Sequence, residues 1–491
     1  MPYTRRRFLE TSAAASAGLL ASGALETLFA RLAAGQQSEA RGYGALVPDR
    51  KGLLDLPEGF TYRLLSSAML GTVSDPRFSQ RLTSGEPVPA RHDGMAAFPG
   101  RAGVTVLVRN HELEPGHTPA VDPGSRRRYD PLGTGGTTTL WVNGNRELVR
   151  SFASLSGTFR NCAGGVTPWG SWLTAEECTY LPGPADTQVH DLRPDVARRH
   201  GYVFEVDARA ERLVEPAPIV ALGRFYHEAL AVDPNTGFVY QTEDRKDGLI
   251  YRFRPELVTR RRKRPRDLRA GDLAQGGVLE ALRIVDLPSV RTQNWEDGDP
   301  IFLQGRRYPV DWVAITDSDP DMDMERDPQD EEDDRLKRRA RTAASSTRAQ
   351  GLRLGAAQFA RNEGMAYQRG AIYFCATNGG KARAGQVWRL DVRRQTLTLA
   401  YEPNDVAVLD GPDNILPAPN GDLIVCEDGR DEQFVLGITS AGSFYRLARN
   451  AYNQSEFAGA CFSPDGRTMF VNIQDPGMTF AIWGPWSRRK A

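Results

Sequence analysis

The sequence predicts an all-β protein, and within that class a six-bladed β-propeller with a charged, partly helical insertion. Three observations carry this. Helical periodicity is scarce while Gly, Pro and Asp punctuate short apolar runs, one unit recurs six times, and its second segment ends in carboxylates or amides.

Each unit opens on a polar or acidic residue followed by small or apolar ones. The openings are HDGMAAF (92–98), NCAGGVT (161–167), YHEALAV (226–232), NEGMAY (362–367), PDNILPA (412–418) and SEFAGACF (455–462). A turn follows each, then a second strand: VTVLVRNHE, GSWLTAEE, GFVYQTED, AIYFCATN, GDLIVCEDG and RTMFVNIQ. Third strands are read in TTTLWV, GYVFEVD, GLIYRFR, GQVWRLD and GSFYRLA, with outer strands such as TLTLAYE completing some units. Repeats of roughly 40 to 70 residues, each of three or four antiparallel strands, fit propeller blades better than a sandwich.

The gap between the third and fourth openings is longer than the others. VDWVAITDSD is the best candidate there for a further blade, but RRRKRPRDLR and the acidic and basic blocks after Asp317 favour an insertion of loop and exposed helix over about 255–350. The run DSDPDMDMERD lacks the glycine and register of an EF-hand calcium loop, so a solvated face is expected of it.

In a propeller the first strands lie nearest the axis. Their leading residues Asp93, Cys162, Glu228, Glu363, Asp413 with Asn414, and Glu456 are therefore expected to converge on one channel, with Glu112, Glu176, Glu177, Glu243 and Glu427 supplying a further ring. Carboxylates facing one axis raise each other's pKa, and desolvation adds to the cost, so cations must compensate. Hard oxygen ligands suit Ca²⁺, Mg²⁺ or a trivalent ion, whereas a thiolate among them points to iron or zinc. Taken alone, Cys162 is a small buried residue and each acid a turn residue; recurrence at one place in six units is what favours ligands. Gly164 and Gly165 serve either a bulge or a close approach of backbone to a cluster. Strand alternation turns His111 and His227 away from the channel, and the tryptophans are expected to pack between blades. Arg361 lies two residues before Glu363, on the same side of an extended strand, where its guanidinium either clamps a phosphate or pairs with a channel carboxylate.

The 491 residues hold 62 basic and 62 acidic side chains, so no global field draws the chain to nucleic acid or to an anionic membrane. No later run is apolar and long enough to span a bilayer, and stable membrane insertion is not expected. The start, TRRRFLETSAAASAGLLASGALETLFARLAAGQ, resembles a twin-arginine export signal over residues 1–34, the alternative being a basic, Ala-rich helix start. Export by that machinery places the mature protein in the periplasm or outside the cell, with residues 45–491 as the propeller domain. Cys162, Cys178, Cys375, Cys426 and Cys461 make an odd number, so one at least is unpaired in such a compartment.

NCAGGVTPWGSWLTAEE, HEALAVDP, RNEGMAY, PDNI, CEDG, SEFAGACFSPDG and FVNIQDPGMTFAIWGPW together resemble the PhoX-type alkaline phosphatase family, from about residue 50 to the C-terminus. The resemblance implies a twin-arginine-exported six-bladed propeller with iron (Fe³⁺) and calcium in its channel. Cys162 resembles the thiolate that bridges the irons, Glu228 and Glu363 the carboxylate ligands, and Arg361 the phosphate-binding arginine. Glu112, Glu176, Glu177, Asp413, Asn414, Glu427 and Glu456 match motif positions for calcium or for groups supporting the cluster.

The function expected is metal-assisted hydrolysis of small phosphate monoesters by a monomer, with the metals binding phosphoryl oxygens as Lewis acids and supplying or orienting an oxygen nucleophile. Arg361 and Cys162 are the catalytic candidates, and the absence of G-x-S-x-G weakens a serine-hydrolase reading. The alternatives are a calcium-dependent lactonase or phosphotriesterase propeller, which gives Cys162 no role, and a non-catalytic interaction propeller, which calls for a channel filled by apolar side chains.

Overall fold

The computed structural model describes residues 40, 42–68, 81–183, 195–295, 301–321 and 346–486. The export-signal segment and the charged blocks from residue 322 to 345 lie outside them.

Six innermost strands carry the six openings: His92–Pro99, Asn161–Val166, His227–Val232, Asn362–Gln368, Pro412–Pro417 and Phe457–Phe462. Each packs on the next in chain order, and the last packs on the first, so the ring closes. Blades 1 to 6 are numbered from these strands. Blade 1 adds Thr105–His111, Gly135–Val142 and Leu148–Thr158, while among the described residues blade 2 has only Ser171–Glu176 and Val203–Asp207 beyond its first strand. In blade 6 the fourth strand is Thr61–Ser67, from the start of the described chain, paired with Met478–Trp483. Closing the ring with strands from both ends removes the open edge that a terminal blade would otherwise expose.

Continuous hydrogen bonding gives five sheets among the described residues, because blades 3 and 4 merge into one of nine strands. The joining strand is Arg307–Ala314, paired with Gly277–Ile284 of blade 3 on one side and Thr396–Tyr401 of blade 4 on the other. VDWVAITDSD therefore contributes a bridge between blades. The insertion is also more regular than its charge suggests, since Gly277–Ile284 is the fourth strand of blade 3. Leu279 and Ala281 are buried on one face and Leu282 and Ile284 on the other, while Glu280 pairs with Arg252 and Arg254. GSFYRLA, expected as the third strand of its unit, is the fourth; Phe434–Ile438 comes between.

Small residues set the width of the inner ring. A Cβ on Gly94 would lie 2.6 Å from the Cα of Ala163, and one on Gly364 would lie 2.3 Å from the carbonyl oxygen of Asp413. Gly164 and Gly165 act the same way, against Leu173 and Leu230, so they serve a bulge and inter-strand packing. Trp172 and Trp388 are buried between blades as expected, whereas Trp169, Trp483 and Trp486 are half-buried. No disulfide forms among the described residues, and all five cysteines are free.

Candidate active site

A two-residue irregularity recurs at the head of the first strands. In blade 1 His92 pairs with His111 and Met95 with Arg109, which leaves Asp93 and Gly94 out of the ladder. The same slip frees Cys162 in blade 2, Glu228 in blade 3, Glu363 in blade 4, and Asp413 with Asn414 in blade 5. A bulge re-aims the side chain it frees, and all five of these turn to the axis at one mouth of the channel.

Neighbouring blades hold the bulges in place. Asn110 donates from its amide to the carbonyls of Cys162 (3.0 Å) and Ala163 (2.7 Å), Thr242 donates to the carbonyl of Glu363 (2.7 Å), and Asn472 to that of Asp93 (2.6 Å). These three occupy equivalent places on second strands, each reaching the next blade. The sequence offered Asn472 as a strand-end amide but gave Asn110 and Thr242 no role; the shared place of all three, two residues before the second-ring acid or amide, was the available signal.

Blade 6 departs from the pattern. Its bulge falls one residue later, at Gly459 and Ala460, and Glu456 precedes the strand. A second recurring bond fixes the alignment. The amide N–H of Glu112, Glu177, Asp244, Thr377, Asp428 and Gln474 donates to the carbonyl of Arg91, Arg160, Tyr226, Arg361, Gly411 and Glu456, at 2.8 to 3.2 Å. Glu456 thus stands where blades 1, 2 and 4 carry arginine, and its side chain still enters the cluster, beside Asp413.

These bonds also define the second ring: Glu112, Glu177, Asp244, Thr377, Asp428 and Gln474. Glu176, Glu243 and Glu427 are one residue too early, and alternation turns them away from the axis. Glu176 accepts from the amides of Phe159 (3.0 Å), Gly201 (2.9 Å) and Tyr202 (3.2 Å) and lies 2.7 Å from Nδ1 of His200. Glu427 accepts from the amide of Asp410 (2.8 Å), and Glu243 from the amide of Leu249 and the hydroxyl of Tyr251 (both 3.1 Å). All three brace loops. Asn414 faces the far part of the channel, a cavity of about 480 Å³ lined by apolar side chains such as Met95, Leu230, Met365 and Phe462. His111 and His227 point outward, bonding the carbonyls of Ala90 (2.8 Å) and Gly223 (3.0 Å).

The acid mouth is electrostatically strained without cations. Burial, reinforced by neighbouring carboxylates, pushes Asp93, Glu228, Glu363 and Glu456 well above the usual carboxylate range, Glu177 to about 8 and Asp413 to about 7. Burial and the adjacent Glu228 push the Cys162 thiol up as well, and its Sγ lies 3.2 Å from the carbonyl oxygen of His227. Three arginines offset part of the charge. Arg91 bridges Glu112 (3.1 Å) and Asp475 (3.0 Å), Arg160 bridges Glu112 (3.2 Å) and Glu177, and Arg361 bridges Asp244 (2.9 Å) and Glu363. Gln474 donates to both Asp93 (3.1 Å) and Glu112 (3.0 Å).

Two groups of donor atoms lie within 4.8 Å of one another: Cys162, Glu177 and Glu228, and Glu228, Glu363 and Asp413. Ligands that each stand roughly 2.0–2.6 Å from one ion fall within such a spacing. The first group contains the one soft donor; the second is all oxygen; Glu228 belongs to both.

Fold and site together define a β-propeller with an acid-lined channel mouth and an apolar channel beyond it. The chain belongs to the PhoX alkaline phosphatase family, whose model matches residues 41–477. The structure of Pseudomonas fluorescens PhoX in complex with vanadate, a transition state analogue, shares the fold at 20% identity, covering 91% of this chain and 97% of that one with a TM-score of 0.61. The gluconolactonase XC5397 from Xanthomonas campestris is more distant, at 12% identity and a TM-score of 0.38 over 90% of this chain and 98% of that one. No curated protein matches the chain.

Proposed function

We propose that the protein is an alkaline phosphatase that hydrolyses small phosphate monoesters at the acid mouth of the propeller, with iron and calcium as its ions. The observation that carries this reading is the pair of donor groups sharing Glu228, with the Arg361 guanidinium on Glu363 beside them. Cys162, Glu177 and Glu228 offer iron a thiolate and carboxylates, while the all-oxygen group of Glu228, Glu363 and Asp413 suits a hard cation. When bound, such ions supply Lewis-acid activation of phosphoryl oxygens.

The chain's own contribution is positioning and charge. Arg361 presents a planar, permanently charged fork whose Nε and Nη2 are taken by Asp244 and Glu363 and whose Nη1 faces the equatorial phosphoryl oxygens as charge develops on them. Asp244 and Glu363 fix the orientation of that fork before substrate arrives. Asn110 holds the Cys162 bulge at a set depth, so the thiol does not have to be ordered on metal binding. Export through the twin-arginine route to the periplasm or beyond, and action as a monomer, complete the proposal. Among the described residues no helix is long and apolar enough to cross a membrane.

The test is elemental analysis of protein purified from its export route, combined with p-nitrophenyl phosphate turnover. Iron plus calcium, with activity and iron lost together in Cys162→Ala, is the expected result. Full activity in that variant would remove iron chemistry and leave the calcium-only propeller reading; no turnover by metal-loaded wild type would sink the phosphatase reading.

A further inference from the structure

Arg91 and Arg160 stand at the same place in their blades as Arg361. Each lies two residues ahead of a channel residue (Asp93, Cys162, Glu363), and each gives its carbonyl to the second-ring amide. All three adopt left-handed backbone, at φ 50, 44 and 53. Such a conformation costs a non-glycine residue on the order of 1 kcal/mol. Blade 5 makes the same turn with Gly411 at φ 64, where that cost is absent. Arginine takes the same backbone at Arg146, Arg262, Arg369 and Arg383 away from the mouth, so what sets these three apart is their shared place two residues ahead of a channel residue.

Ion pairing with the ring is part of their role but does not exhaust it. Arg91 and Arg160 share Glu112, and each turns its Nη1 to an exposed acid that an incoming anion can displace, Asp475 at 3.0 Å and Glu114 at 3.7 Å. Their side chains remain 23% and 26% exposed, against 32% for Arg361. Position around the ring gives the geometry. With six first strands packed in chain order, blade 1 lies opposite blade 4, and blade 2 lies beside blade 1. Arg361 thus faces Arg91 across the mouth, with Arg160 on the flank.

We propose that Arg91 and Arg160 form a second anion post opposite Arg361, which selects phosphate monoesters whose leaving group carries another negative group. This rests on the phosphatase reading, which places the reacting phosphoryl at Arg361. An ester with one anion engages only the Arg361 side. One with a phosphate or carboxylate at the far end of a short leaving group spans the mouth and finds two further guanidiniums, whose Nη1 atoms exchange exposed acids for its oxyanion.

The test uses metal-loaded full-length protein and two phosphonates, whose C–P bond is not a phosphate ester: propylphosphonate with one anionic group and 3-phosphonopropionate with two. Titration calorimetry on wild type is expected to show the second binding at least about ten-fold tighter, equivalent to about 1.4 kcal/mol. Arg91→Gln should reduce that preference to about two-fold or less, Arg91→Lys should retain part of it, and Arg160→Gln should act like Arg91→Gln. Ion content measured alongside separates loss of the post from loss of the cluster, which is why Arg91, farther from Glu177, is the primary variant. Equal affinities in wild type, or an undiminished preference in both glutamine variants, overturns the proposal while leaving the phosphatase reading intact. Failure of propylphosphonate to bind loaded wild type removes the phosphoryl site at Arg361, and the second post falls with it.

Discussion

Glu456 holds in blade 6 the position that Arg361 holds in blade 4: each precedes its first strand, and each carbonyl accepts the amide of a second-ring residue, Gln474 and Thr377 respectively. One position thus carries opposite charge on two sides of the same mouth. Arg361 neutralises its neighbours, whereas Glu456 adds a carboxylate to a site already raised by burial and by Asp413, Asp428 and Asp93.

Glu456→Gln should therefore have effects of opposite sign in two solutions. In chelator it removes a like charge from a crowded buried ring and should raise Tm. In millimolar calcium it removes a candidate ligand, so the calcium-induced rise in Tm, which follows ligand affinity, should shrink. A lower Tm in chelator would mean that the Glu456 carboxylate is held by favourable partners rather than tolerated against repulsion.

Asn110→Ala tests how the Cys162 bulge is held. The side chain makes two bonds to backbone carbonyls of the next blade and accepts a third from Nε1 of Trp172 at 2.8 Å. All the groups are buried, so their loss should cost on the order of 2–3 kcal/mol in denaturant unfolding. Iron retention should fall more than calcium retention, since only the thiol-containing group loses its support. Equal loss of both ions would mean that Asn110 acts on global stability alone.

The fold was legible because one opening pattern repeats, and repetition survives drift in any single unit. What escaped were one-residue decisions. TAEE, TED and CEDG each offer two adjacent groups at a strand end, and alternation sends only one to the axis; the structure selects Glu177, Asp244 and Asp428, where the sequence reading took both Glu176 and Glu177 and chose Glu243 and Glu427. A bulge displaced by one residue hid the offset of Glu456. Arg91 and Arg160 were readable by the argument applied to Arg361, since each also stands two residues ahead of a channel residue. The strand Gly277–Ile284 was hidden by the charge of the segments flanking it, although Leu279 to Leu282 are buried on both faces.

His200 predicts an alkaline loss of stability. Burial works against its charge, but Glu176 at 2.7 Å and Asp130 at 3.2 Å outweigh this and lift it from 6.5 to about 9. A raised folded pKa means that the stabilisation is fully present below pH 6.5 and is lost as pH rises through about 9. The size is on the order of 2–3 kcal/mol. Unfolding free energy measured at pH 6 and at pH 10 should fall between the two in wild type and change less in His200→Gln. An equal fall in both proteins would assign the alkaline sensitivity to other groups.

Arg361→Lys separates binding from folding at the proposed phosphoryl site. The guanidinium makes a fork to both oxygens of Asp244 (Nε at 3.1 Å to one, Nη2 at 2.9 Å to the other) and a further contact with Glu363. Its strong raising of pKa is set first by Asp244 and then by Glu363, so the positive charge is secure in any accessible pH range. Lysine keeps the charge and loses the fork. Ion pairing with Asp244 should survive in weaker form, and because the side chain is a third exposed, Tm should move by only a few degrees. In the proposed role Asp244 holds Nε and Nη2 while Nη1 meets the phosphoryl group, a division a single ammonium cannot make, so KM for p-nitrophenyl phosphate should rise about ten-fold or more and kcat should fall. Tm and both kinetic constants measured on one preparation decide the matter. A large Tm loss with unchanged KM and kcat would make Arg361 a structural ion-pair partner of Asp244, and a ten-fold KM change with a small Tm shift would make it the phosphate clamp.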